Sequence, residues 1–193
     1  MTMLGESTQI TLLVTQTLER IGVTYAIGGS LASSLHGVMR STLDVDIVAD
    51  MRFEHVSPLA TALAQEFYAD NNMMQEAIKR RSSFNLIHYE TAFKVDIFIR
   101  KLRPFDQMQL ERRQISVIAN DPERSVYVTS PEDTVLAKLE WYRLGSEVSE
   151  RQWRDILGVL KTRVGELDLD YLRQWAAELK VSDLLEKVLL EAA

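Results

Sequence analysis

Cysteine is absent from this 193-residue chain, which excludes disulfide bonds and thiolate metal sites. The chain has only three histidines, so a zinc site is not expected either. No apolar run is long enough to cross a membrane. Residues 1–6 lack the basic region that begins a signal peptide. These absences predict a cytoplasmic protein that has no membrane partner.

Positive charge is also scarce, because 22 Lys and Arg are outnumbered by 28 Asp and Glu, which gives a net charge of −6. Non-specific binding to nucleic acid depends on neutralising phosphates, so this balance argues against it. A hydrophobic content of 46% and a charged content of 26% are ordinary for a globular protein. The chain has no internal repeat, low-complexity stretch or flexible linker.

Hydrophobic periodicity predicts an α/β (α+β) front at 1–129 and a helical back at 130–193, which packs on the front as a bundle. A turn is expected at 70–72 and a hairpin loop at 90–92. The predicted helices are 8–21, 30–37, 57–68, 104–113, 131–144, 149–163, 168–179 and 182–191, and the predicted strands are 23–28, 42–49, 83–89, 93–100, 114–118 and 125–129.

Three aspartates lie on two of these predicted strands. Side chains alternate along a strand, so Asp44 and Asp46 point to one face while their apolar neighbours point to the other. Asp96 follows the same alternation on a later strand. Carboxylates on an otherwise apolar strand are costly to bury unless something compensates their charge. A divalent metal ion is the compensation that we expect for all three.

A glycine turn precedes the aspartates in the chain. Gly28 and Gly29 permit a tight connection from a strand to a helix and a close approach of a ligand to the backbone. Ser30 is predicted to cap that helix, where exposed N–H groups suit a phosphate. If the following strand begins at Arg40, this side chain shares the face of the aspartates and either contacts a triphosphate or pairs with the carboxylates.

These motifs, in this order, resemble the nucleotidyltransferase superfamily that includes DNA polymerase β. The resemblance covers about the first 130 residues, and 13 residues separate Ser30 from Asp44, slightly more than in the family pattern. It implies a mixed-sheet nucleotidyltransferase core. It also implies that Asp44, Asp46 and Asp96 hold two Mg²⁺ ions and that the glycine turn holds the β- and γ-phosphates of a nucleoside triphosphate.

The helical back resembles AbiEii-type toxin nucleotidyltransferases, in Ser130-Pro131-Glu132-Asp133 with the residues after it and in the later segment 151–156. This second resemblance implies that Lys138 binds phosphate and that Asp155 supports it. The residues alone equally allow an exposed Lys138 and a pair between Arg151 and Asp155 on one helix.

The two resemblances imply an enzyme that transfers a nucleoside monophosphate from a nucleoside triphosphate such as ATP to a hydroxyl acceptor and releases pyrophosphate. The acceptor is a tRNA, a protein or a small molecule such as a sugar or an antibiotic. The alternative is a catalytically silent binding module, for example one that pairs with an antitoxin. The presence of all three aspartates favours the enzyme, because a silent relative need not retain them.

Overall fold

The computed structural model describes residues 5–38, 42, 44–120 and 122–192. Within these ranges the chain forms nine α-helices, one short 3-10 helix at Phe53–His55 and one seven-stranded sheet. The strands are β1 Tyr25–Ile27, β2 Asp44–Ala49, β3 Phe67–Tyr68, β4 Ser83–His88, β5 Lys94–Ile99, β6 Gln114–Asn120 and β7 Glu123–Val128. The helices are α1 Glu6–Arg20, α2 Gly29–His36, α3 Val56–Leu63, α4 Asn71–Arg80, α5 Pro104–Glu111, α6 Pro131–Leu144, α7 Glu150–Thr162, α8 Leu169–Glu178 and α9 Ser182–Ala192.

The sheet is mixed, as the sequence predicts, and its strand order is β3-β4-β5-β2-β1-β7-β6. Strand β2 runs parallel to β5 and antiparallel to β1, while β4 is antiparallel to β5. Strand β1 is parallel to β7, which forms an antiparallel pair with β6. Strands β2 and β5 are therefore neighbours at the centre of the sheet, although 44 residues of chain separate Ala49 from Lys94.

Alternation along β2 and β5 separates a buried face of the sheet from a half-buried one. Every second residue of both strands is fully or almost fully buried, and the residues between them are half-buried. This is the pattern of a strand that packs one face against the core. The buried members are Val45, Ile47, Ala49, Val95, Ile97 and Ile99. Helix α1 contacts α3, α3 contacts α4, and α4 contacts β4.

The segment 57–81 differs from its prediction. The predicted helix at 57–68 ends at Leu63, and Phe67 and Tyr68 form β3, an edge strand beside β4. The buried ring of Phe67 stacks edge-on against His88, with 5.3 Å between ring centroids. The turn expected at 70–72 is instead a helix start, because Asp70 Oδ1 accepts a hydrogen bond from Met73 N at 2.8 Å.

The described residues group into two compact units. One contains those of Met1–Ile27 and Thr42–Val128, and the other those of Gly28–Ser41 and Thr129–Ala193. The predicted division at 129/130 assigns the segment 28–41 to the front, whereas the second unit combines it with the C-terminal helices. No helix of the described ranges has the length and apolar character needed to span a bilayer.

The start of α6 explains the Ser-Pro-Glu-Asp motif of the second unit in structural terms. Ser130 Oγ accepts a hydrogen bond from Asp133 N at 3.1 Å and so caps the N-terminus of α6. The fully buried Asp133 accepts further hydrogen bonds from Ser130 Oγ at 2.7 Å and from the Tyr171 hydroxyl at 2.6 Å. Burying this carboxylate is tolerable because its oxygens have donors. The motif therefore ties α6 to α8.

A histidine at the end of α2 is buried in the same unit. His36 is only 3% exposed, and its Nε2 donates to the carbonyl oxygen of Thr129 at 2.7 Å. Burial lowers the pKa of His36 below 6.5, and the charge of Arg163 acts in the same direction. The Thr129 carbonyl and the charge of Glu132 oppose this shift in the pKa, less strongly than burial lowers it. The folded protein therefore favours the neutral imidazole more than the unfolded chain does.

We expect the protein to lose stability as the pH falls below about 6.5, the pKa of an unperturbed histidine. The unfolded chain then binds a proton at His36, whereas the folded chain does not. The loss of stability therefore continues until the pH reaches the lowered pKa of His36 in the folded protein. Above pH 6.5 neither state carries this proton and the term is constant. Urea unfolding from pH 7.5 to 5 checks this: the wild type should lose more stability than His36→Gln, measured from each protein's own value at pH 7.5. Equal losses would contradict it.

Candidate active site

The register of β2 and β5 brings the three predicted aspartates to one face of the sheet. Asp46 lies directly opposite Asp96 on the neighbouring parallel strand. Asp44, two residues before Asp46, points to the same side and lies opposite Lys94. Adjacent strands are about 4.8 Å apart, so opposite side chains on one face are close neighbours. All three aspartates are half-buried, whereas the alternate residues of both strands fill the core.

Both carboxylate oxygens of Asp96 have protein donors. Lys94 Nζ lies 2.9 Å from Oδ2, and Asn85 Nδ2 donates to Oδ1 at 2.8 Å. Asn85 is the residue of β4 that lies opposite Asp96 in the antiparallel pairing, and Lys94 is on the same strand as Asp96, so two neighbouring strands contribute to this contact. Only 15% of the Asp96 side chain is exposed, compared with 45% of the Lys94 side chain. The carboxylate is therefore fixed from both sides.

Asp44 is held by Thr42, two residues before the start of its strand. The hydroxyl of Thr42 lies 2.9 Å both from Oδ1 and from the backbone oxygen of Asp44. This local contact between a threonine and a nearby backbone group is typical of a chain that enters a regular element. Arg40, which was predicted to share this face, lies outside the described residues.

The donor set fits a divalent cation in its chemistry. Carboxylate oxygens are the ligands that Mg²⁺ prefers, and it binds through one or two of them while retaining several waters. In the part of the chain that the structure describes, no three Asp, Glu or His side chains are already gathered around one point. Thr42 contacts the carboxylate of Asp44, and Asn85 and Lys94 contact that of Asp96. The backbone register supplies the placement, and the local hydrogen bonds set the present directions of the carboxylates.

The predicted glycine turn lies in the second unit and opens α2. Gly28 is the residue before the helix, and Gly29, its first residue, has a φ of +55°, a conformation that L side chains rarely adopt. A Cβ added at Gly28 would meet no atom of the described residues within 4 Å, so packing among those residues does not require glycine there. The expected cap by Ser30 is wrong, because the helix begins at Gly29, Gly28 takes the capping position and Ser30 lies inside the first turn.

Lys138 and Asp155 form an ion pair within the second unit. Lys138 Nζ lies 2.9 Å from Asp155 Oδ2, and 9% of each side chain is exposed. The pair joins α6 to α7. The sequence left two alternatives for Asp155, and the structure pairs it with Lys138 across two helices. A buried ion pair of this kind can join two helices without contacting any ligand. The role of the pair in phosphate binding therefore stays a prediction.

Three solved structures share the architecture of the chain. An antigenic nucleotidyltransferase-like protein from Paracoccidioides brasiliensis is 18% identical, with 96% of this chain and 94% of that one covered and a TM-score of 0.55. The antibiotic-resistance factor ANT(2'')-Ia is 13% identical, with coverage of 95% and 97% and a TM-score of 0.53. The lincosamide antibiotic adenylyltransferase LnuA, bound to lincomycin, is 18% identical, with coverage of 81% and 96% and a TM-score of 0.50.

The chain has a nucleotidyltransferase fold. The evidence for it is structural, because no protein-family model matches the sequence and no curated protein matches it significantly. At these identities the similarity establishes the arrangement of helices and strands, while the chemistry has to be argued from the side chains themselves. The predicted mixed-sheet core is confirmed.

Sequence reasoning missed two residues of the polar face of this nucleotidyltransferase fold. Asn85 and Lys94 lie on the predicted strands 83–89 and 93–100, and neither was assigned a role in the site. The pairing of β4 with β5 reveals both, because it sets Asn85 opposite Asp96. A hairpin with the correct loop length would have given the same pairing from the sequence alone.

Proposed function

We propose that the protein is a metal-dependent nucleotidyltransferase. The observation that carries the proposal is the position of Asp46 directly opposite Asp96, with Asp44 on the same face, at the centre of a nucleotidyltransferase fold. Carboxylates from two strands that meet on one half-buried face are a donor set for hard divalent cations. The transferred group is a nucleoside monophosphate, and pyrophosphate leaves.

Each predicted residue has a separate task in this reaction. Asp44, Asp46 and Asp96 would hold two Mg²⁺ ions, and Asp96 would assist either as a ligand or as the base that accepts the proton of the acceptor hydroxyl. When bound, Mg²⁺ neutralises charge on the phosphates and lowers the pKa of the acceptor hydroxyl. The backbone of Gly28, Gly29 and Ser30 binds the β- and γ-phosphates through N–H groups of the first turn of α2.

Lys138 binds phosphate in the same proposal, and Asp155 orients the lysine. Their ion pair at 2.9 Å agrees with the resemblance to AbiEii-type toxins, in which an aspartate lies close to the helical lysine. The resemblance also suggests an antitoxin partner. Arg40 is assigned to the triphosphate by sequence position alone.

We propose a small molecule as the acceptor, with tRNA and protein as the alternatives. LnuA is an antibiotic adenylyltransferase, and ANT(2'')-Ia is an antibiotic-resistance factor whose complex with adenylyl-2''-tobramycin is also similar in fold to this chain, at 13% identity and a TM-score of 0.52. The net charge of −6 disfavours a large polyanion such as RNA. A screen of labelled nucleoside triphosphates with fractionated cell extract would identify the acceptor by the mass of the labelled product.

The first test of the proposal is binding of a nucleoside triphosphate measured by calorimetry with and without Mg²⁺. We expect binding with Mg²⁺ and a loss of at least about tenfold in affinity with EDTA, because the triphosphate then meets uncompensated carboxylates. Asp46→Asn should weaken the dependence on Mg²⁺. Binding with the same affinity in the presence and absence of Mg²⁺ would favour the silent binding module instead. So would the absence of binding to each of ATP, GTP, CTP and UTP.

A further inference from the structure

The polar face of the sheet includes a positive charge of its own. Lys94 is the first residue of β5, lies opposite Asp44 and is two residues from Asp96, so its side chain leaves the sheet on the side of the aspartates. Its ammonium group reaches Asp96 Oδ2 at 2.9 Å. Lys94 therefore offsets part of the negative charge that three neighbouring carboxylates would otherwise share.

The two donors to Asp96 differ in what a metal ion would do to them. Asn85 binds Oδ1 through a neutral amide at 2.8 Å and can keep this hydrogen bond while a cation approaches the other oxygen. Lys94 occupies Oδ2 with a full charge. An incoming divalent ion needs a lone pair of that oxygen and is repelled by the ammonium group beside it. Lys94 and the ion therefore compete for one atom.

We propose that Lys94 is a positioning residue that holds Asp96 in the metal-free protein and lowers the affinity of this face for a divalent cation. The inference rests on the proposed function, since it takes Asp96 as a metal ligand. When the cation binds, the amine moves away from Oδ2. It is free to do so because nearly half of the Lys94 side chain is exposed, while Asn85 continues to orient the carboxylate. Binding of the cation to Asp96 is then coupled to the release of Lys94 from the same carboxylate.

The test is the affinity of the protein without nucleotide for Mn²⁺, an octahedral oxygen-binding ion with a paramagnetic signal when free. Removing the competing charge in Lys94→Met should tighten the dissociation constant by about tenfold. Lys94→Arg keeps the charge and should bind Mn²⁺ within about twofold of the wild type. Free Mn²⁺ is measured by electron paramagnetic resonance, and thermal unfolding of each variant checks that it is folded.

A matched control is Lys79→Met, which removes the same charge from an exposed lysine of α4 that pairs with Glu76. It should leave the affinity for Mn²⁺ unchanged, which separates a local effect from net charge. An affinity for Mn²⁺ that is unchanged or weaker in Lys94→Met, while Asp96→Asn loses binding, would overturn the role of Lys94 and leave the proposed function intact. Equal binding by Asp96→Asn and the wild type would overturn the proposed metal ligand itself.

Discussion

Asp44→Ala should abolish measurable nucleotidyl transfer while the protein remains folded. Losing one ligand of a charge-stabilising cation costs on the order of 3–4 kcal/mol in the transition state, a factor of several hundred in rate. The fold should tolerate the change, because Asp44 is half-buried at the first residue of β2 and its contact is to the neighbouring Thr42. Transfer is measured as pyrophosphate released with an identified acceptor.

Glu76→Ala is the control for this experiment. Glu76 lies on α4, where its exposed carboxylate pairs with Lys79 and Arg80, and its removal changes the net charge of the protein by the same amount. It should keep wild-type transfer. If Asp44→Ala also transfers at the wild-type rate, this carboxylate is not a metal ligand and the two-ion assignment fails.

Alternation along two strands was enough to predict which face carries the aspartates. The pattern in β2 places Asp44 and Asp46 together without any knowledge of the partner strand. The pairing of β2 with β5 is a different kind of information. It joins Asp46 to Asp96 across 49 intervening residues, and a local pattern carries no signal about such a pairing. The resemblance to a known superfamily supplied that step.

Asn85 was assigned no role because the predicted loop shifts the pairing of β4 with β5 by one residue. With the predicted loop at 90–92, residue 89 pairs with 93 and Leu86 lies opposite Asp96. In the structure His88 N donates to the carbonyl oxygen of Phe93 and Ile87 lies opposite Lys94, so Asn85 takes that place. A shift of one residue moves every side chain to the other face of a strand. The geometry of the turn therefore decides which residue of β4 contacts the Asp96 carboxylate. The composition of this loop does not reveal that geometry.

Tertiary contacts explain the other main difference between prediction and structure. The apolar spacing that predicts a helix at 57–68 continues through Phe67, but an aromatic side chain also suits a strand. Pairing of Phe67 with His88 at the edge of the sheet decides in favour of the strand. The C-terminal helices lack such competition, and the structure confirms them to within a residue or so of each predicted end.

Breaking the ion pair between α6 and α7 should separate the stability of the protein from its affinity for nucleotide. Lys138→Met removes the charge that Lys138 contributes to the largely buried Asp155, and breaking a buried pair from one side costs about 3–5 kcal/mol of unfolding free energy. The double variant Lys138→Met/Asp155→Leu replaces the pair by apolar groups of similar volume and should regain most of that stability. Because both variants lack the ammonium group, both should bind a nucleoside triphosphate with Mg²⁺ at least about tenfold more weakly than the wild type.

Urea unfolding and calorimetry of the same samples measure the two quantities. Arg154→Met is the matched control on α7, since its pair with Glu150 is exposed at 77% and 87% and contributes little to stability. It should change neither quantity appreciably. If the double variant regains stability and also binds the triphosphate like the wild type, Lys138 joins two helices and has no contact with phosphate. Regained stability with persistently weak binding instead assigns the lysine to the nucleotide, because packing is then restored and only the charge is missing.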